Sequence, residues 1–421
     1  MKKRWMSAML VCVILWSFVL GGCEQEESEK TTITIIHAWG GTEDDHVAMR
    51  EIFEGFQKEN PDIQFNMISM PTRDKMLRKI EDMIMVGDTP DIIDFAGMGA
   101  NSTYNFMIDN HMALDLMPYV QSDQELLCCI PKLNLDYWTT SNHQLFTIPD
   151  VLSLSGGYWY NEDIIEKVGI TEIPKTWDRF FTMCETVKAW AARRNSDTKP
   201  LQVPAEGYLY FADQLIAESG VKLKKATGEN TMNVPDEAYA HMMKQLQNVY
   251  EYSSSDNENY SYRDETSLFN EGRLAIYING VWGASMISDD INAKYALLPT
   301  TSGASVACES VGLGYVLGNS GSVEKQNASV RFLKYIMSDR VQAEILEKTG
   351  QIPANPNVNL EAYEAEMPRL SQAVNLVLSA DDKIDIPNNI WTSDEKSLFT
   401  DHILKVLSKE TSDEIIRSLY Q

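Results

Sequence analysis

The 421-residue chain is poor in positive charge. Its 36 lysines and arginines stand against 61 aspartates and glutamates, for a formal net charge of −25. A phosphate backbone would repel such a surface, and so would an anionic membrane face, which excludes nucleic acid as a partner. Histidine is scarce too: six are scattered along the chain, with no spacing that gathers ligands round a metal. No Cys-x-x-Cys occurs to hold zinc. The nucleophile elbow Gly-x-Ser-x-Gly, the helical His-Glu-x-x-His and the phosphate loop are all missing. Gly312-x-Gly314 lacks the third glycine of a dinucleotide fingerprint. These absences leave no metal and no cofactor to look for, and they weigh against an enzyme. A glycoside-cleaving enzyme needs only two carboxylates across a cleft. The 61 acidic residues always supply some such pair, so that rival stays open on composition.

What is present starts at the amino terminus. Met1-Lys2-Lys3-Arg4 precedes a mostly apolar stretch, Trp5 to Leu20. This is the build of a secretory signal, shorter than the ~20 residues of a membrane-spanning helix. Leu20-Gly21-Gly22-Cys23 resembles the bacterial lipobox, in which the chain is cut before the cysteine and the thiol is acylated. The resemblance makes Cys23 the lipidation site and residues 1–22 a removed signal. Glu24 to Thr32 has no apolar residue to bury, so residues 23–32 are expected to form a tether. A lipid anchor is then the sole expected attachment to the membrane. Cys12 leaves with the signal. Cys128, Cys129, Cys184 and Cys308 are either small buried residues or, for two of them, a long-range disulfide that an oxidising compartment permits.

Without the signal roughly 400 residues remain, comfortable for two lobes. Thr31–His37 is β-branched and reads as a strand, and Met49, Ile52, Phe53 and Phe56 mark one helix face up to Asn60-Pro61. Ile63, Phe65 and Met67 alternate in a second strand. Met76, Leu77, Ile80, Met83 and Ile84 line a second helix, and Gly87-Asp88-Thr89-Pro90 breaks it before a third strand, Asp91–Phe95. Such β-α-β-α-β order makes a parallel sheet covered by helices, with ligands outside the carboxyl ends of its strands. The loops His37–Glu43 and Asp94–Gly99 therefore open on one rim. Each brings an aromatic, a carboxylate and glycines, the groups that cover a sugar face, accept hydroxyl hydrogen bonds and admit a close ligand. The same residues also suit a packed ring and a helix cap.

Further on, Leu145–Pro149, Gly157–Asn161, Gly272–Asn279, Tyr295–Pro299 and Gly312–Leu317 read as strands. Thr176 starts a helix, Lys325–Ser338 is another, and the end is mostly helical apart from an interruption at Ile386–Trp391.

Gly87-Asp88-Thr89-Pro90-Asp91-Ile92-Ile93, Tyr160-Asn161-Glu162-Asp163, Pro174–Trp177, Gly272–Gly283, Tyr295–Pro299 and Gly350–Pro353 occur in this order. The ordered set resembles family 1 extracellular solute-binding proteins, which include the maltose-binding protein. The resemblance spans roughly Ile33 to the carboxyl end. It implies a two-lobed α/β fold of the periplasmic-binding-protein type (type II), with the ligand cleft between lobes joined by crossover strands. Lobe one would hold residues 33–149 and 315–365, and lobe two residues 152–312 and 367–421. Crossings would fall near Pro149–Leu152, Gly312–Tyr315 and Glu364–Pro368. It implies capture of a mono- or oligosaccharide by hinge closure and delivery, as a monomer, to the permease of an ABC importer. A ligand-presenting ectodomain for a sensor would share the fold. By position, the resemblance makes Trp39, Gly41, Thr42, Glu43, Asp94, Phe95, Ser153, Ser155, Tyr208, Tyr210, Trp282 and Trp391 the ligand-binding candidates. The chain departs from the family pattern at Val281, where proline is usual, at Phe95, where tryptophan is frequent, and at Met98, where a carboxylate aligns. These departures bear on the identity of the sugar.

Overall fold

The computed structural model describes residues 30–421 apart from 96–97, 221–223, 227–228, 232, 254–259, 311, 385–390 and 392. The signal, Cys23 and most of the tether lie outside the described residues. In chain order the strands are β1 (Thr31–His37), β2 (Ile63–Ser69), β3 (Ile92–Asp94), β4 (Ser153–Ser155), β5 (Gly157–Asn161), β6 (Lys224–Ala226), β7 (Glu229–Thr231), β8 (Ile276–Tyr277), β9 (Ala293–Leu297), β10 (Val306–Ser310), β11 (Tyr315–Leu317) and β12 (Asp382–Ile384).

The first lobe is built on the sheet β11-β3-β1-β2. β1 runs parallel to β2, from Thr31 opposite Ile63 to His37 opposite Ser69, and parallel to β3; β11 returns antiparallel. The helix Asp44–Glu59 buries Met49, Ile52, Phe53 and Phe56 on this sheet. The hydroxyl of Thr72 caps the next helix, Arg73–Met85, by accepting from the Lys75 amide. Much of the remaining cover comes from far along the chain. Phe332, on the helix Val323–Met337, packs against Phe53, Phe56 and Phe65. One apolar core thus joins residues 33–148 to residues 313–345.

The second lobe is built round the antiparallel sheet β8-β5-β9. Side chains alternate across a sheet, so this one feeds two cores. Tyr158, Ile276 and Ala296 face the helices Trp177–Arg194, Gly207–Glu218, Asp236–Tyr252 and Ser393–Leu407. Trp159, Tyr277 and Tyr295 face the helix Pro368–Leu378 in a smaller core.

The lobes are stitched together where the chain passes between them. Ile148 and Tyr315 exchange backbone hydrogen bonds of 3.1 and 3.0 Å. Leu152 donates to Ile352 at 2.9 Å, and Ala354 to Asp150 at 2.8 Å. Gly314 lies so close to Ile148 and Pro149 that a Cβ would run into their backbone.

Several elements differ from the expectations. Leu145–Pro149 makes only isolated bridges, from Leu145 to Thr139 and from Ile148 to Tyr315. The run Gly272–Asn279 keeps a two-residue strand, because Arg273 and Ala275 pair instead with the irregular segment at Lys199. Between Leu145–Pro149 and β5 the chain forms the strand β4, paired to β10, and turns at Gly156, whose φ of 88° suits glycine. The last crossing was expected at Glu364–Pro368. The residues that pair with the first crossing are Ile352 and Ala354, and Val358, Leu360, Tyr363 and Met367 already pack on the smaller core. All four cysteines are free, with Cys128 exposed and the others buried. Among the described residues no helix is long and apolar enough to cross a membrane.

Gly314→Ala should lower stability by roughly 1–3 kcal/mol, the usual cost of overpacking, as read by urea unfolding. An unchanged midpoint would show that the crossings spread apart freely.

Candidate ligand-binding cleft

A cleft of about 1730 Å³ opens between the lobes. Its first-lobe wall is the loop that follows β1. His37 ends that strand and is fully buried. Its Nδ1 accepts the Trp39 amide at 3.1 Å, which places the ring proton on Nε2, facing Ser69 Oγ at 3.1 Å. Burial first, then the charge of Arg50 and the nearness of His46, bring the His37 pKa down to about 4, so the ring is neutral. The Gly40 amide donates to the Met70 carbonyl at 2.9 Å. The Arg50 guanidinium donates to the carbonyls of Trp39 and, at 2.9 Å, Gly41. The Trp39 indole donates to Asp94 Oδ2 at 2.7 Å, and its ring meets His46 edge-on at 5.2 Å. Trp39 is therefore held at its backbone, at its indole nitrogen and by its ring.

Beneath it lies a buried acidic pair. Strand register sets Tyr315 opposite Asp94, and the bridge to Ile148 brings Asp150 close. Burial, with the Asp94 carboxylate facing it, holds the Asp150 carboxyl far above the usual range. Asp150 thus keeps a proton that an exposed aspartate would lose.

The second-lobe wall centres on Trp282, in the 3-10 turn Val281–Met286. The Trp159 indole, from the underlying sheet, donates to the Gly280 carbonyl at 3.0 Å. Gly280 has no room for a Cβ, because the Trp282 ring folds back over it. Tyr210 stands with its ring 6.3 Å from that of Trp282. Tyr262 lines the same wall, its hydroxyl accepting from Asn279 Nδ2 at 2.5 Å. At the mouth Arg263 reaches across to Glu43 at 2.7 Å. The backbone amide of Glu43 itself, then His46 and Arg263, hold its carboxyl below the usual range.

Of the ligand-binding candidates, Trp39, Glu43, Ser153, Tyr210 and Trp282 line the cleft. The others do not, for separate reasons. Gly41 spends its amide on His46 and its carbonyl on Arg50, and Thr42 points to solvent outside the lining. Asp94 is 1% exposed and supports Trp39 from below. Phe95 turns into the first core against Tyr104, and Ser155 is buried in β4 opposite Cys308. Tyr208 is fully buried: two residues from Tyr210 on one helix, it projects to nearly the opposite side. Trp391 packs on Phe399 and Tyr420 and donates to the Leu419 carbonyl at 3.1 Å, inside the second core. The sequence reading missed Arg73, Glu206, Tyr262, Arg263 and Arg369, which all line the cleft. One signal was available for two of them. Ser261 and Asp264 form a capping box that starts the helix Tyr262–Asn270. Among the described residues no group of three or more histidine, cysteine or carboxylate side chains could hold a metal ion.

The model of the family of bacterial extracellular solute-binding proteins matches residues 51–371. The chain belongs to that family. Membership places this solute-binding protein outside the cytoplasm. It is 24% identical to the diacetylchitobiose binding protein DasA of Streptomyces coelicolor, over 49% of its own length and 48% of that protein's. It is 23% identical to the multiple sugar-binding protein of Streptococcus mutans, over 66% and 65%. The chain thus spans about half to two thirds of the length of these relatives. A Streptococcus pneumoniae solute-binding protein, solved in complex with the blood group A-trisaccharide, superposes with a TM-score of 0.74 at 23% identity, over 92% of this chain and 98% of that one. That likeness is one of fold, the two-lobed α/β architecture of periplasmic solute-binding proteins.

Two predictions separate the walls from the cores. Trp282→Ala should weaken ligand binding by roughly 1–3 kcal/mol with the melting temperature nearly unchanged. Trp391→Ala should cost about 3–5 kcal/mol of stability. A reversed pattern in calorimetry and binding would exchange their roles. For Asp150, the native state keeps a proton that the unfolded chain releases near pH ~4. The native state then binds more protons, so stability falls as pH rises from there until the folded carboxyl itself ionises. Asp150→Asn should flatten the melting temperature between about pH 5 and about pH 8. A variant profile parallel to the parent would place the proton elsewhere.

Proposed function

We propose that this protein captures an oligosaccharide in the cleft and delivers it to the permease of an ABC importer. The observation that carries the reading is the set of rings on one cavity: Trp39 from the first lobe, with Tyr210, Tyr262 and Trp282 from the second. Aromatic faces cover the apolar faces of pyranose rings, and carboxylates and guanidinium groups round them pair with hydroxyls. Glu43, Glu206, Arg73 and Arg263 supply those groups. The volume of about 1730 Å³ suits several sugar units rather than one. The relatives described as binding diacetylchitobiose and multiple sugars support the same class.

The lobes close by bending at the crossings. A ligand that touches both walls binds the closed state better and so shifts the equilibrium towards it. Nothing in this action turns the sugar over. The protein works as a monomer on a lipid carried by Cys23, with residues 1–22 removed and residues 23–32 as tether.

A thermal-shift screen against mono- and oligosaccharides tests this. A ligand at ~100 times its Kd should add roughly 2.7 kcal/mol of stability, and the sugar should be recovered intact. Stabilisation by monosaccharides alone would contradict the oligosaccharide assignment. Hydrolysed sugar would make the protein an enzyme, and no shift with any sugar would reject the carbohydrate class.

A further inference from the structure

The stretch that follows Trp282 has little regular structure to hold it, since residues 287–292 form turns and bends. Asn270 grips one side, donating to the Met286 carbonyl at 2.9 Å and accepting from the Ser288 amide at 2.9 Å. On the other side four backbone carbonyls converge on a single side chain. The Arg369 guanidinium donates to Ala284 at 3.3 Å, Ile287 at 2.7 Å, Ser288 at 3.3 Å and Ile291 at 3.2 Å. Arg369 sits in the first turn of the helix Pro368–Leu378, whose Ala373, Val374 and Val377 are buried in the smaller core. Its base is therefore fixed.

We propose that Arg369 is a positioning residue for the Trp282 wall: it binds the carbonyls of residues 284–291 to the helix Pro368–Leu378 and so sets where the indole stands in the cleft. Four carbonyls pointing at one place repel one another unless a cation with several donors lies between them. A planar guanidinium offers five N–H groups in a fixed fork, whereas an ammonium offers three from a single atom. Lysine keeps the charge at this position but cannot reproduce the fan of bonds. Without the fan, the segment loses the bonds that tie its middle to the helix; Asn270 and the Trp159–Gly280 bond still hold one end, and the Glu162 amide on the Asn292 carbonyl, at 2.9 Å, the other. The effect on ligand rests on the reading of the cleft as a sugar site; the effect on the indole does not.

The test uses the protein labelled with 5-fluorotryptophan, with the Trp282 resonance assigned through Trp282→Phe. In Arg369→Lys and Arg369→Gln the fluorine signal of Trp282 should shift or broaden while those of Trp159 and Trp391 hold. Diacetylchitobiose and maltotriose are then titrated as probes. Either variant should weaken a probe that binds the parent by about tenfold, which corresponds to 1.4 kcal/mol. Adding Arg369→Gln to Trp282→Ala should cost little further affinity, because the ring it positions is gone. An unmoved Trp282 signal in both variants, or affinity losses that add in the double variant, would overturn the proposal. If neither probe binds the parent, the choice of sugars is at fault, and the fluorine signal alone decides the role of Arg369.

Discussion

The chain crosses between its lobes along segments that are hydrogen-bonded to one another, and the cleft depends on that stitching. Ile148 with Tyr315, and Asp150 and Leu152 with Ile352 and Ala354, make short antiparallel contacts. Gly314 lets two of the passes touch backbone to backbone. A joint of bridged segments resists sliding and stretching because each displacement breaks hydrogen bonds, yet it bends when a few backbone angles change. The same joint sets Tyr315 beside Asp94 and Asp150. The support of Trp39 is therefore continuous with the hinge, through Asp94.

The two walls are made rigid by different means. The first-lobe wall is a loop tied down by side chains of its own lobe: Arg50 on two carbonyls, His37 on an amide, Asp94 on an indole. The second-lobe wall is a loop resting on side chains from several elements, with Trp159 from the sheet below and Arg369 from the helix Pro368–Leu378. In both, arginine does what regular secondary structure does elsewhere, by satisfying carbonyls that have no strand or helix to pair with.

The first lobe was the most legible part of the sequence. Its strands and helices carry clean periods of two and of 3.6: β1 has its expected limits, and the residues read as alternating or helical fall inside β2 and the helix Arg73–Met85. In the second lobe β5 kept its expected limits, whereas β8 and β9, which pack between two cores, departed from theirs. A strand with two apolar sides has no alternation to read. The site divided along similar lines. Trp39 and Trp282 were reachable as aromatics beside glycine turns and Tyr210 through the resemblance, but the resemblance offered Phe95, Tyr208 and Trp391 as well, and those are core. Which face of a helix or which side of a strand meets the cleft depends on partners far away in sequence. The capping box marked the helix of Arg263 but not its partner Glu43, and Arg369 was invisible outright, because each acts on residues reached only through the tertiary fold.

The ion pair between Glu43 and Arg263 is well exposed, with side-chain accessibilities of 45% and 81%. Exposed pairs of this kind contribute at most about 1 kcal/mol. A clasp that weak does not by itself hold the mouth shut. A clasp of several kcal/mol would make shut the resting state whether or not anything was inside, and shape would no longer report content. In the proposed transport role, weak closure without ligand is what makes a shut cleft a sign of a bound solute.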